Sequence, residues 1–114
     1  MNRDQIVERY KRAVSAHDGI EIKGAKTAYT AINGNMFSFV DDENRLCLRF
    51  SEERKAAFNQ EHGTRDVVQY GAVMRGYIAV PDELLSDDDQ LKALFAESLQ
   101  FAATLKPKPS KKKS

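Results

Sequence analysis

Tryptophan is absent, cysteine occurs once and proline three times in 114 residues, and no stretch reaches the roughly 18 consecutive apolar residues of a membrane-spanning helix. The lone Cys47 excludes an internal disulfide, and with it the stapled scaffold of small secreted domains. The six glycines stand apart at Gly19, Gly24, Gly34, Gly63, Gly71 and Gly76. They spell neither GxGxxG nor GxxxxGK[ST], so no phosphate cradle is legible. The opening MNRDQIVERYKR carries charge where a signal peptide is apolar. These absences lead us to expect a cytoplasmic protein without a membrane segment.

Chemistry-bearing residues are scarce as well. His17 and His62 are the only histidines, and neither has a second histidine or a cysteine at metal-ligand spacing. Asp87, Asp88 and Asp89 lack the alternating ligands, central glycine and distant glutamate of a calcium loop, and fit the first turn of a helix better. Asp41, Asp42 and Glu43 read as a hairpin turn. Cys47 is flanked by Arg45 and Arg49, which could lower a thiol pKa, but a lone strand cysteine more often packs as a small hydrophobe. We expect no catalytic residue, no cofactor, no metal and therefore no enzyme.

What is present suits one modest domain. Apolar residues make up 41% and charged residues 31%, with a mean hydropathy of -0.58. A chain of this size buries roughly two-thirds of its extended surface on folding. Charge is uneven: the formal net is +1, yet residues 106–114 hold five lysines and no acid. Taking those five from the 18 basic residues leaves 13 against 17 acidic, a body of net −4. Residues 1–105 read as the domain. Residues 106–114, KPKPSKKKS, read as a disordered basic tail, because two prolines and like charge leave nothing to pack.

Periodicity outlines the elements. Residues 2–17 form an amphipathic helix with Ile6, Tyr10, Ala13, Val14 and His17 on one stripe, ended by Asp18 and Gly19. A strand over 26–32 leads into Asn33-Gly34, the pair that favours a type I′ hairpin turn, and a second strand follows over 35–40. After the polar turn at 41–44, Leu46, Leu48 and Phe50 point to one side and Arg45, Cys47 and Arg49 to the other. Ser51 caps a helix that Gly63 stops, with Ala56, Ala57 and Phe58 as its apolar face. Strands at 67–70 and 75–80 flank Gly71, as a hairpin or a bent edge, and Pro81 closes the second. The last helix takes Ser86 as N-cap and repeats Leu91, Leu94, Phe95, Ser98, Leu99, Ala102 and Leu105 at helical spacing. The resulting fold class is α+β: an antiparallel sheet of four or five strands in a meander, with N-terminal, middle and C-terminal helices packed on it.

The run NGNMFSFVDDENRLCLRF, with YGAVMRGYIAVPDELLSDDDQLKALFAESLQFAATLKPKP after it, resembles the N-terminal domain of the TfoX/Sxy family. That family has an "nGxMF" segment, an "LxLR" strand, a helix, and a strand closing in "VPxELL" before the final helix. Asn33, Gly34, Met36 and Phe37 match the first, Leu46, Leu48 and Arg49 the second, and Val80, Pro81, Glu83, Leu84 and Leu85 the third. KTAYTAING replaces the glycine-rich "MFGG" opening, and no second, helix-hairpin-helix-like domain is visible. The resemblance implies helices on one face of an antiparallel sheet and an association with competence regulation in bacteria. It supplies no catalytic residue.

Two functional expectations follow. The first is a regulatory or interaction domain whose protein partner is unknown, with a homodimer open because a small sheet leaves edge strands to cover. The second is weak, salt-sensitive contact with nucleic acid or another acidic partner through Lys106, Lys108, Lys111, Lys112 and Lys113. Tyr29, Phe37, Phe39, Tyr70 and Tyr77 are candidates for base stacking on an exposed sheet face, against core packing as the commoner fate.

Overall fold

In the computed structural model, which describes residues 2–24, 28–69 and 71–107, Asn2 caps the first helix, α1 (Arg3–Ser15). Its side chain accepts from the Gln5 amide while the Gln5 side chain accepts from the Asn2 amide, so two otherwise orphaned N–H groups are satisfied. Ile6, Tyr10, Ala13 and Val14 are buried, as the stripe predicts. The helix ends short of the predicted residue 17, and His17 follows it with its ring 5.5 Å from that of Phe95.

Among the described residues six strands follow: β1 (Tyr29–Ile32), β2 (Asn35–Val40), β3 (Leu46–Arg49), β4 (Val68–Gln69), β5 (Ala72–Val73) and β6 (Tyr77–Ala79). The main sheet has the order β1-β2-β3-β6 and is antiparallel throughout. Asn33 and Gly34 both take positive φ, 54° and 81°, and so provide the two-residue turn between β1 and β2. The predicted start of β1 at Lys26 lies outside the described residues. The two strands expected after residue 66 are three. β4 and β5 form a separate hairpin, while β6 alone enters the main sheet beside β3.

A bulge in β2 decides which faces its side chains reach. The β1–β2 register pairs Thr30 with Ser38 and Ala31 with Met36, which leaves Phe37 unopposed. Phe37 and Ser38 therefore both serve the helix side, Phe37 with its ring 5.4 Å from Phe95 and Ser38 hydrogen-bonded to Tyr10. Phe39 belongs to the opposite face.

Ser51 accepts from the Arg54 amide to cap α2 (Glu52–His62), and Gly63 ends it in the left-handed conformation. Of the expected apolar face Phe58 is buried, but Ala56 and Ala57 are exposed and Lys55 is buried in their place, because the helix turns the 55/58 side of its surface to the sheet. Pro81 opens a short helix, α3 (Asp82–Leu85), that was not expected. Ser86 ends that helix rather than capping the next one, and Asp87 is the N-cap of α4 (Asp88–Ala103). The "VPxELL" segment thus forms one extra turn that seats Leu84 and Leu85 in the core.

All four helices contribute side chains to one core on one face of the sheet, with Phe37, Leu46, Leu48 and Ile78 among its strand residues. Arg9 and Arg12 of α1 both reach Asp88 at the start of α4, and Arg54 of α2 holds Glu97 at 2.7 Å. The second face carries a smaller cluster of Phe39, Cys47, Val67 and Tyr77.

Candidate interaction surface

The segment between α2 and β6 does two jobs. Val67 packs on the second face of the sheet beside Phe39, Cys47 and Tyr77. The β4–β5 hairpin beyond it presents Val68 and Val73 to solvent, 46% and 52% exposed, and these are the exposed large hydrophobic residues among the described residues. They are register partners across the hairpin, so they form one apolar spot. The Met74 amide donates to the Val67 carbonyl at 2.8 Å to close the ladder, and Arg45 reaches the Val68 carbonyl at 3.4 Å.

Gly76 returns the chain to the sheet. Its φ is +79°, and a Cβ there would stand 2.8 Å from the Phe50 carbonyl oxygen, so only glycine fits the approach that lets the Phe50 amide donate to the Gly76 carbonyl at 2.7 Å. Between α2 and the hairpin lies a cleft of about 350 Å³ lined by Glu52, Lys55, Asn59, Asp66, Val73 and Arg75. Lys55 is 3.1 Å from Asp66. Glu52 and Arg75 line the same cleft, and neither has an ion-pair partner among the described residues.

The residues singled out in the sequence fall elsewhere. Lys106 is exposed, and its carbonyl accepts from the Asn35 side chain at 3.1 Å, beside the β1–β2 turn. Lys108, Lys111, Lys112 and Lys113 lie outside the described residues, as does Tyr70. His17 packs near Phe95 and His62 lies with its ring 4.4 Å from that of Phe58. A cleft of about 240 Å³ between α2 and α4 holds His62 and Gln90 with Arg54 and Glu97. There the Arg54–Glu97 pair satisfies its own charges. Among the described residues no group of three or more His, Cys, Asp or Glu is placed to hold a metal ion.

The sheet aromatics are not a stacking platform. Phe37, Phe39 and Tyr77 are buried, Phe39 and Tyr77 meet edge to face at 5.1 Å, and the Tyr77 hydroxyl donates to the Met36 carbonyl at 2.8 Å. Tyr29 alone of the described set keeps partial exposure. Cys47 is fully buried, and its thiol pKa is pushed up to about 12, first by burial and then by the Asp41 carboxylate, against the smaller opposing pull of Arg45. The flanking arginines do not activate it.

Sequence reasoning placed strands near Val68 and Val73 but did not single them out. Their signal is Gly71, whose φ of +79° belongs to the tight turn that sets Val68 and Val73 opposite each other across the hairpin.

A four-stranded antiparallel sheet with helices packed on one face, and a small hairpin carried at its side, makes this an α+β domain. The chain belongs to the TfoX N-terminal domain family, which matches residues 28–102. The match runs from just before β1 to the last turn of α4 and leaves α1 outside it. No curated protein matches the sequence significantly. Among the described residues no helix is long and apolar enough to cross a membrane.

Proposed function

We propose that this chain is a non-enzymatic regulatory domain of the TfoX type that acts in the cytoplasm by binding protein, with the β4–β5 hairpin as its binding face. The observation that carries the reading is the side-by-side exposure of Val68 and Val73 on a hairpin that stands off the main sheet. Exposed aliphatic side chains grouped beside charged neighbours are the usual makings of a protein contact, with apolar centre and polar rim. The test is a photo-cross-linking residue at position 73, with the same residue at exposed Lys11 on α1 as control. An adduct from 73 and none from 11 is expected; no adduct from 73 overturns the reading.

Lys106 favours a second reading. Asn35 holds its carbonyl, so the basic segment departs from a fixed point on the domain, and Lys106, Lys108, Lys111, Lys112 and Lys113 would contact nucleic acid weakly. Five phosphate contacts give a log–log salt slope of roughly −4 to −5 on duplex DNA. Anisotropy of labelled DNA with the full chain and with a chain ending at Leu105 tests this. Equal binding by the two would remove the tail from consideration.

A further inference from the structure

We propose that the β4–β5 hairpin is a self-association face, on which a second copy of this chain docks about a two-fold axis. The inference rests on the interaction-surface reading above and names the partner. In the dimer Val68 and Val73 of each copy cover those of the other, and Arg75 of each faces Glu52 of its partner.

Three observations select a second copy. The apolar spot is small, formed by one register pair, so a partner must bring its own apolar patch of similar size; the same spot on another copy does so. The cleft beside it carries both signs of charge, with Arg75 and Glu52 unpaired among the described residues and Lys55 already satisfied by Asp66. A two-fold axis sets each sign against its opposite without any other protein, because residue i meets j and j meets i. A nucleic acid would meet Glu52 as a repulsive carboxylate, and a uniformly acidic or basic protein would leave one of the two free charges opposed by its like. Third, β4 and β5 have two residues each. A two-stranded ribbon is marginal by itself, and packing against a second ribbon supplies what it lacks. The face is small, so the association belongs to the weak class and rises with concentration.

Sedimentation velocity on the full chain, carried up to about 1 mM to reach weak association, gives the test. Conversion from monomer to dimer is expected. Val68→Thr with Val73→Thr raises the dissociation constant at least about tenfold, as loss of a central apolar anchor should. Arg75→Glu weakens the dimer similarly, and adding Glu52→Arg to it restores affinity to within about threefold of the original, the mark of two residues that couple. All four positions are exposed, so the variants should fold, which circular dichroism checks. A chain that stays monomeric throughout overturns the proposal, as does a dimer indifferent to the valine changes or a charge swap without rescue. A monomer that still gives a heterologous adduct from position 73 leaves the interaction-surface reading standing and removes only self-association.

Discussion

The Tyr10 hydroxyl lies 2.6 Å from Ser38 Oγ in the buried space between α1 and the sheet, and the Thr30 hydroxyl bonds to the same Ser38 oxygen. This three-hydroxyl chain joins a helix outside the family-matched segment to the strand pair at its beginning. Tyr10→Phe removes one end and should cost about 1 kcal/mol, the net value of a single buried hydrogen bond. Ser38→Ala removes the middle, strands both remaining hydroxyls and should cost about 1–3 kcal/mol. Urea unfolding of the two variants tests the order; a Ser38→Ala variant as stable as wild type would show the chain to be without weight.

Alkaline pH should weaken the fold. Burial pushes the phenols of Tyr10 and Tyr77 up to about 12, and the thiol of Cys47 is held at about 12 as well. The folded state therefore keeps protons that the unfolded chain releases near pH 10 for tyrosine and near 9 for cysteine. The contribution is complete below those values and is lost as pH rises towards 12. Two pKa units correspond to about 2.7 kcal/mol for each phenol by pH 12. Stability measured by urea at rising pH should fall above pH 9, and Tyr10→Phe should flatten the fall above pH 10. A curve flat to pH 11 would contradict this.

Gly76 and Gly71 share a φ of +79° but differ in their surroundings. An alanine Cβ at 76 meets the Phe50 carbonyl oxygen at 2.8 Å, whereas at 71 nothing lies within 4 Å. Gly71→Ala should cost about 1 kcal/mol for the left-handed backbone alone. Gly76→Ala should cost clearly more, since the backbone must also shift. Equal losses in thermal denaturation would mean that the β5–β6 connection relaxes freely.

Asp41 organises the β2–β3 turn from within. Its carboxylate is 2% exposed and accepts from the amides of Glu43 at 3.0 Å and Arg45 at 2.9 Å, and from Arg45 Nε at 2.7 Å. Asp41→Ala leaves those donors without their acceptor and should cost about 2–3 kcal/mol. Asp41→Asn keeps an oxygen for the two amides and should cost less. Asp42→Ala, at an exposed neighbour, should be near neutral, and chemical denaturation of the three variants gives the ranking.

By itself the sequence determined the features that act over two to four residues. The Asn33-Gly34 turn, the Ser51 cap, the Gly63 stop, the Leu46/Leu48/Phe50 alternation and the helical spacing from Leu91 onward were all readable, because each depends on local backbone geometry or on a repeat along one element. Tertiary structure decided what depends on burial between distant segments. The skipped register at Phe37 separates Phe37 from Phe39, although strand alternation would put both on one face. Asp41 reads as one acid of a solvated turn until Arg3 and Arg45 close over it. Ser86 reads as the N-cap of the last helix, but with Leu84 and Leu85 buried in the short helix before it Ser86 closes α3 and Asp87 caps α4. The exposure of Val68 and Val73 belongs to the same class. Valines normally pack inward, and these two stay outside while Val67 and, in part, Met74 of the same segment pack on the second face of the sheet.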